Sequence, residues 1–276
     1  SGVISYVRVE WAGYQLAVGN EINAFSFYAV GRGTKLDHLQ AHQGLDDSFE
    51  FFGGTVNGKY LMASSGNDDC FDMDNGYSGK LQFGICVRDD VDGGGNGFEV
   101  DNDANGSINV PLTNPTVYNF TLIGKGGTPT TEGGFGFHLR RNTTGTWRNI
   151  VAVNWPLAGL FIDGAAAQAN ATAGSLSVRN SIIGGLTKNG NDAYADAYIA
   201  NAANGIRTAA VADVKLANIS SDAPNASITA DSPAASGAAP VPTGDTFLVD
   251  TSFIGACGTT CPEFEGWTAF SKASVP

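Results

Sequence analysis

The run G-L-D-D-S-F-E-F at Gly44–Phe51 returns as G-N-D-D-C-F-D-M at Gly66–Met73 and, more loosely, as G-G-G-N-G-F-E-V at Gly93–Val100. An earlier relative, G-N-E-I-N-A-F-S-F, occupies Gly19–Phe27. Aligned on the aromatic, Phe25, Phe49, Phe71 and Phe98 form one column with spacings of 24, 22 and 27 residues. Self-similarity at such a period marks a solenoid, in which each repeat is one coil that buries its apolar face only against its neighbours. Within F-E-F the pleat sends Phe49 and Phe51 to one side and Glu50 to the other. The column therefore predicts that the four Phe stack inside the coils as core, while Glu50, Asp72 and Glu99 stack outside.

The rest of the chain agrees with this reading. Thirty-seven Gly among 276 residues, with abundant Asn, Asp, Ser and Thr, speak against a helical protein and for many short strands. Val3–Glu10 alternates apolar and polar residues as a half-buried strand does. Further strands are predicted at Lys35–His42, Phe49–Phe52, Lys59–Met62, Leu81–Val87, Val117–Ile123, Gly136–Leu139, Trp147–Val153, Gly159–Ile162, Leu176–Ile183 and Phe247–Ile254. No helical period separates them, which excludes βαβ units. The expected fold is an all-β, right-handed parallel β-helix over residues 1–276, interrupted by loop insertions at about 89–115 and 186–245. The second insertion holds one short helix, from an Asn191 or Asp192 cap to Gly205, and then a surface excursion; Gly266–Phe270 (G-W-T-A-F) reads as a terminal cap.

Net charge is −12, which makes nucleic acid and anionic membranes poor partners and cations good ones. No apolar run approaches a membrane span. Cys70 lies about one coil from Cys86, and Cys257 and Cys261 enclose a short turn. The four are either disulfide-bonded, as suits a secreted protein, or free small hydrophobes. N-x-Ser/Thr sequons at Asn105, Asn119, Asn142, Asn170, Asn218 and Asn225 are possible glycan acceptors.

The sequence S-G-V-I-S-Y-V-R-V-E-W-A-G-Y, followed by the four repeats and D-M-D-N-G-Y-S-G-K, resembles a family of secreted bacterial right-handed parallel β-helix proteins. The resemblance is strong over residues 1–88 and continues weakly to V-D-T-S-F-I-G-A and G-W-T near the end. It implies the fold and an extracellular location; it carries over no catalytic residue. Relatives generally have further coils ahead of the equivalent of Ser1.

Three kinds of chemistry are open. The doublets Asp46–Asp47 and Asp68–Asp69 recur one coil apart, with Asn20, Glu21 and Asn23 before them and Asn96 after. Stacked carboxylates either cap their own turns or bind calcium, which takes 6–8 oxygens in flexible geometry. Asp72, Asp74 and Asn75 with Asp89, Asp90 and Asp92 form a second candidate calcium cluster. Paired carboxylates would also serve a glycoside hydrolase, and Arg88, Arg140 or Arg141 beside calcium a polysaccharide lyase. His38 and His42 read as solvated faces, and Trp11, Tyr14, Tyr77 and Trp155 either as exposed aromatics able to stack on sugars or as ordinary packing. Finally, the apolar face of Val3–Glu10 calls for a covering coil. That, with no nucleophile to nominate, favours a structural subunit of an extracellular filament, matrix or adhesive surface that associates end to end.

Overall fold

The computed structural model describes residues 1–17, 20–89, 95–127 and 133–270. Two parallel sheets run the length of a β-helix. The short-strand sheet stacks Phe25–Tyr28, Phe49–Phe52, Phe71–Asp74, Phe98–Val100, Phe135–Leu139, Ala158–Ile162 and Lys188–Gly190. The long-strand sheet stacks Val3–Glu10, Lys35–His42, Asn57–Ser64, Lys80–Val87 and Thr116–Ile123. It then continues as split pairs, Gly145–Arg148 with Val151–Trp155 and Leu176–Arg179 with Ile182–Gly185, and ends on Arg207–Thr208. Phe25, Phe49, Phe71 and Phe98 are direct strand partners, and their rings stack at 5.0, 5.3 and 5.6 Å. Each ring covers the next, and Phe49, Phe71 and Phe98 are fully buried.

A second column explains how one long strand turns a corner. Tyr6, His38, Tyr60, Phe83 and Asn119 sit mid-strand with φ between 54° and 63°, and Asn149 and Asn180 repeat the conformation where the strand has split. A left-handed residue bends the strand and swings its side chain out of the coil. In the early coils these side chains form an aromatic ladder, Tyr6–His38–Tyr60–Phe83, with centroid spacings of 4.4, 4.5 and 5.3 Å. In the later coils Asn takes over, a residue that tolerates this conformation well.

Beyond the bend the long strands are apolar on both faces. Met62, Ile85, Val87, Ile123, Val151, Val153 and Ile182 point out of the coil and are nonetheless buried. What covers them is the stretch from about residue 210 to 270, which runs back over the sheet toward the first coil. Its backbone groups meet outward side chains. Asn119 Nδ2 donates to Thr251 Oγ1 (2.9 Å) and to the carbonyls of Phe253 and Gly255, and Asn149 exchanges two bonds with Ala239. Gln82 does the same with Val249, and Ala269 N donates to Gln40 Oε1.

This arrangement refines one expectation and corrects two. The surface excursion within residues 186–245 packs on the sheet, since Ile228 and Ala234 join the buried clusters. Phe247–Ile254 is not a strand, because it crosses the sheet and is held largely by side chains, among them Gln82 and Asn119, without a strand ladder. Gly266–Phe270 caps no last coil, for Trp267 lies beside Tyr6 and His38 at the first coil. The last coil is covered by helix α2 (Ala193–Ala200), with Asp192 Oδ1 capping Ala195 N at 2.8 Å and Ile199, Tyr194 and Tyr198 against the core. An additional helix, α1 (Gly164–Ala173), was not anticipated.

Both cysteine pairs are disulfides, Cys70–Cys86 inside one coil and Cys257–Cys261 in the returning stretch. Phe71 should be the most sensitive core position tested by truncation, because its ring touches Phe49, Phe98 and Phe120. Phe71→Ala is expected to lower the unfolding free energy by about 3–5 kcal/mol in urea titration, with an unchanged slope.

Candidate functional site

The turn that enters the short-strand sheet carries Asn23, Asp47, Asp69 and Asn96 at equivalent positions. Each side chain caps the next coil. Asp47 N donates to Asn23 Oδ1 (3.3 Å), Asp69 N to Asp47 Oδ1 (2.9 Å), Asn96 N to Asp69 Oδ1, and Phe135 N to Asn96 Oδ1 (3.1 Å). The sequence left turn capping and cation binding as alternatives; here capping uses one oxygen of each Asp and leaves the other.

From that turn the outward column of the sheet runs Ser26, Glu50, Asp72, Glu99, His138 and Phe161, each a strand partner of the next. Acids of the turn and of the strand therefore meet. Three sets each bring carboxylate oxygens within 4.8 Å of one another: Asp46, Asp47 and Asp68; Asp47, Glu50 and Asp72; Asp69, Asp72 and Glu99. Asp72 belongs to two of them. The repeat places Glu50 and Glu99 outside the coil in line with Asp72, but as single acids between apolar residues they carry no doublet to mark them as site residues.

The second predicted cluster is not brought together. Asp74 lies farther along the strand, near Asp101 and Asp103, and accepts from Asn75. Asp89 sits toward His42 instead. Asp90 and Asp92 lie outside the described residues.

The column is electrically divided. Burial, reinforced by neighbouring carboxylates, holds Asp47, Asp69 and Asp72 well above the usual carboxylate range. Burial, then the charges of Asp68 and Glu21, lifts Asp46 to about 6. Burial lifts Glu50 to about 8 despite a hydrogen bond from Asn23, and Asp74 to about 7 despite one from Asn75. Glu99 goes the other way. Burial opposes its charge, but the hydrogen bond from His138 and the guanidinium of Arg140 overcome this and hold it below the ordinary glutamate value.

Arg140 also bonds Asp101 (2.8 Å), and His138 lies 3.4 Å from Glu99 and 3.2 Å from Asp163, with its ring stacked on Phe161. Arg88 donates to the backbone carbonyls of Asp68 and Asn67, which ties it to the turn.

The donor set suits a hard divalent cation. Oδ1 of Asp72 and of Asp74 are buried with no hydrogen-bond partner, and a buried carboxylate oxygen in that state is matched by a proton or a cation. The residues that fit calcium are Asp46, Asp47 and Asp68 of the first set, with Asp72 beside Asp47.

Other predicted positions fall differently. His38 is buried, not solvated: it is sandwiched between Tyr6 and Tyr60, with Nδ1 3.2 Å from Asp37. His42 is partly buried and meets Ser64 Oγ at 3.0 Å. Tyr77 and Trp155 are core, whereas Trp11 and Tyr14 are exposed as expected. Among the sequons, Asn105, Asn218 and Asn225 are exposed. Asn119 is fully buried with its amide engaged, so the folded protein cannot carry a glycan there. Asn142 and Asn170 are half-buried and hydrogen-bonded to one another.

The shifts fix a pH dependence for the metal-free protein. Unfolded carboxylates release their protons near pH 4, whereas folded Asp46, Asp74 and Glu50 keep theirs to about 6, 7 and 8. The folded state thus binds more protons between these limits, and stability falls as pH rises through them. In chelator, the thermal midpoint is expected to drop between pH 5 and pH 8. Calcium should reverse the drop at pH 8 and have little effect at pH 5. A midpoint independent of pH in chelator would contradict the assignment.

No curated protein and no solved structure matches the chain. The model of a family described as the pectate-lyase-like β-helix domain matches residues 1–228. With that match over most of its length and two parallel sheets of stacked coils, the chain belongs to the pectate-lyase-like β-helix domain family.

Proposed function

We propose that this protein is a secreted, calcium-dependent glycoside hydrolase of an acidic polysaccharide, acting on the outer face of the short-strand sheet. The observation that carries the reading is the pair Glu50 and Glu99. They share one outward column, hold opposite protonation states at neutral pH, and stand two strands apart, about 9.5 Å by strand spacing. Carboxyl groups about 6.5–9.5 Å apart are the arrangement of an inverting hydrolase, in which one acid protonates the leaving oxygen while the other activates water. Glu50 supplies the proton to the glycosidic oxygen; Glu99 accepts one from the attacking water as that water bonds to the anomeric carbon. Hydrolysis is favoured over elimination because Arg140 is paired with Glu99 and Asp101, which holds it protonated, and Arg88 is committed to the turn carbonyls of Asp68 and Asn67, which leaves neither placed as a base.

Asp46, Asp47 and Asp68 would hold calcium at the rim of this strip, where Asp68 is exposed. Bound there, calcium would neutralise the turn carboxylates and attract a uronate carboxylate. The two disulfides suit an oxidising, extracellular setting, and no helix among the described residues is long and apolar enough to cross a membrane.

The test is reducing-end release from polygalacturonate and from a neutral control such as xylan, with calcium present and then chelated. Turnover of the acidic polymer without an unsaturated product is expected. Glu50→Gln and Glu99→Gln should each cut it by about 10²–10⁴-fold with the fold intact. Asp47→Asn should lose the calcium-induced rise in thermal midpoint. Turnover indifferent to both Glu substitutions would overturn the assignment.

A structural subunit of a filament, matrix or adhesive surface is the second reading. In its favour, the first coil carries the exposed side chains Val3, Tyr6 and Tyr28, an apolar and aromatic surface suited to contact with another chain. Concentration-dependent growth of large assemblies by the full chain, with no turnover of any acidic polymer, is the outcome that would favour it.

A further inference from the structure

The other sheet carries a basic pair that the acid column does not use. Ahead of the bend, the outward column of the long-strand sheet runs Gln82, Tyr118, Arg148 and Arg179, each a strand partner of the next. Arg148 and Arg179 are therefore adjacent at strand spacing, about 4.8 Å between backbones. Like charges placed directly opposite each other in a sheet are destabilising. In a chain of net charge −12 this is an improbable place to find two arginines without an acid, yet none of the ion pairs among the described residues includes either one.

Their hydrogen bonding is equally one-sided. Arg148 is held in place by neutral acceptors: Nη1 donates to the carbonyls of Trp147 (2.8 Å) and Ser177 (2.9 Å), and Nη2 to Ser177 Oγ (2.9 Å). These contacts orient the guanidinium without cancelling its charge. Burial and the charge of Arg179 both work against the protonated state of Arg148. Arg179 Nε is buried and has no hydrogen-bond partner, although a buried charged donor left unmatched is strongly unfavourable. Tyr198, from helix α2, closes one side through its hydroxyl, which meets the backbone of Val178 at 3.0 Å. A planar fork of donors, oriented and lacking an anion, is the usual recognition element for carboxylate and sulfate groups.

We propose that Arg148 and Arg179 form an oxyanion-binding site that takes a carboxylate or sulfate group of an acidic glycan chain, on a face separate from the acid column. One bridging oxyanion relieves the repulsion between the two guanidinium groups and supplies the acceptor that Arg179 Nε lacks. Ser177 Oγ stands beside it as a neutral partner.

The test measures binding of an oligogalacturonate, a sulfated glycan oligomer and inorganic sulfate to the full chain by calorimetry, in chelator so that the calcium set is silent. Binding of one or both oligomers is expected, weakening with ionic strength. Arg179→Gln and Arg148→Gln should each weaken it by about tenfold or more. Thermal midpoints measured without ligand separate this from a purely structural role. Removal of a repelling charge should leave the Arg179→Gln midpoint unchanged or raised, whereas a structural arginine would lower it. Oligomer affinity unchanged in both variants, or binding of inorganic sulfate with none of either oligomer, would overturn the proposal. Glu50→Gln should leave this binding intact, so failure of the hydrolase reading and failure of this one are distinguishable.

Discussion

Each side chain in this protein sits one strand spacing from its equivalent in the next coil, and most of the structure follows from that repetition. Where the repeated residue is Phe, the rings stack and the core forms. Where it is Asp or Glu, the same spacing forces carboxylates together, and the coil must neutralise them. It does so in two ways along one column. In the early coils burial keeps protons on Glu50 and Asp72, while farther on His138 and Arg140 let Glu99 stay ionised. The difference in protonation on which the proposed chemistry depends is a by-product of changing partners along an otherwise uniform ladder.

The bend column shows the same principle with a different solution. A left-handed residue in every coil places a side chain outside the helix, where it must be covered or must bond something. Aromatic residues there stack on one another, and Trp267 and Phe264 lie against them. Asn119 and Asn149 instead serve the backbone of the returning stretch. The outward polar positions Gln40, Gln82 and Thr121 share this task, so a segment with almost no regular structure has its backbone groups satisfied.

Much of the solenoid was legible in the sequence because its evidence is local and repeated. The bounds of Val3–Glu10 follow from alternation, those of Lys35–His42 from its apolar residues Leu36 and Leu39, and the inward Phe column from one aligned residue per coil. The acidic doublets were legible as a density of carboxylates, but not how they group. Asp72 joins the turn set because turn and strand residues converge in space, which spacing along the chain does not encode. The returning stretch was misread for the same reason. Its partners lie more than a hundred residues away, so Phe247–Ile254 looks like a strand while its backbone is engaged by Gln82 and Asn119. The apolar run Leu81–Val87 held the missed signal, since a strand apolar on both faces needs cover on both. Helix α1 was missed although Asp163, a run of Ala and Gly174 frame it as cap, body and stop.

Stacked-coil proteins ordinarily melt and mend like a row of bricks, each unit answering only to its neighbours. The returning stretch alters that. Contacts such as Gln40 with Ala269, 229 residues apart, and Arg8 with Trp267, 259 apart, tie the first coils to the end of the chain. Loss of residues 264–270 is thereby felt at the first coils, and the first coils cannot fray without uncovering the apolar surface that these residues protect. A one-dimensional array is turned into a single cooperative unit. Its first coils reach their final, covered state only when residues 264–270 have joined them, so contacts of very high sequence separation complete the fold and form slowly.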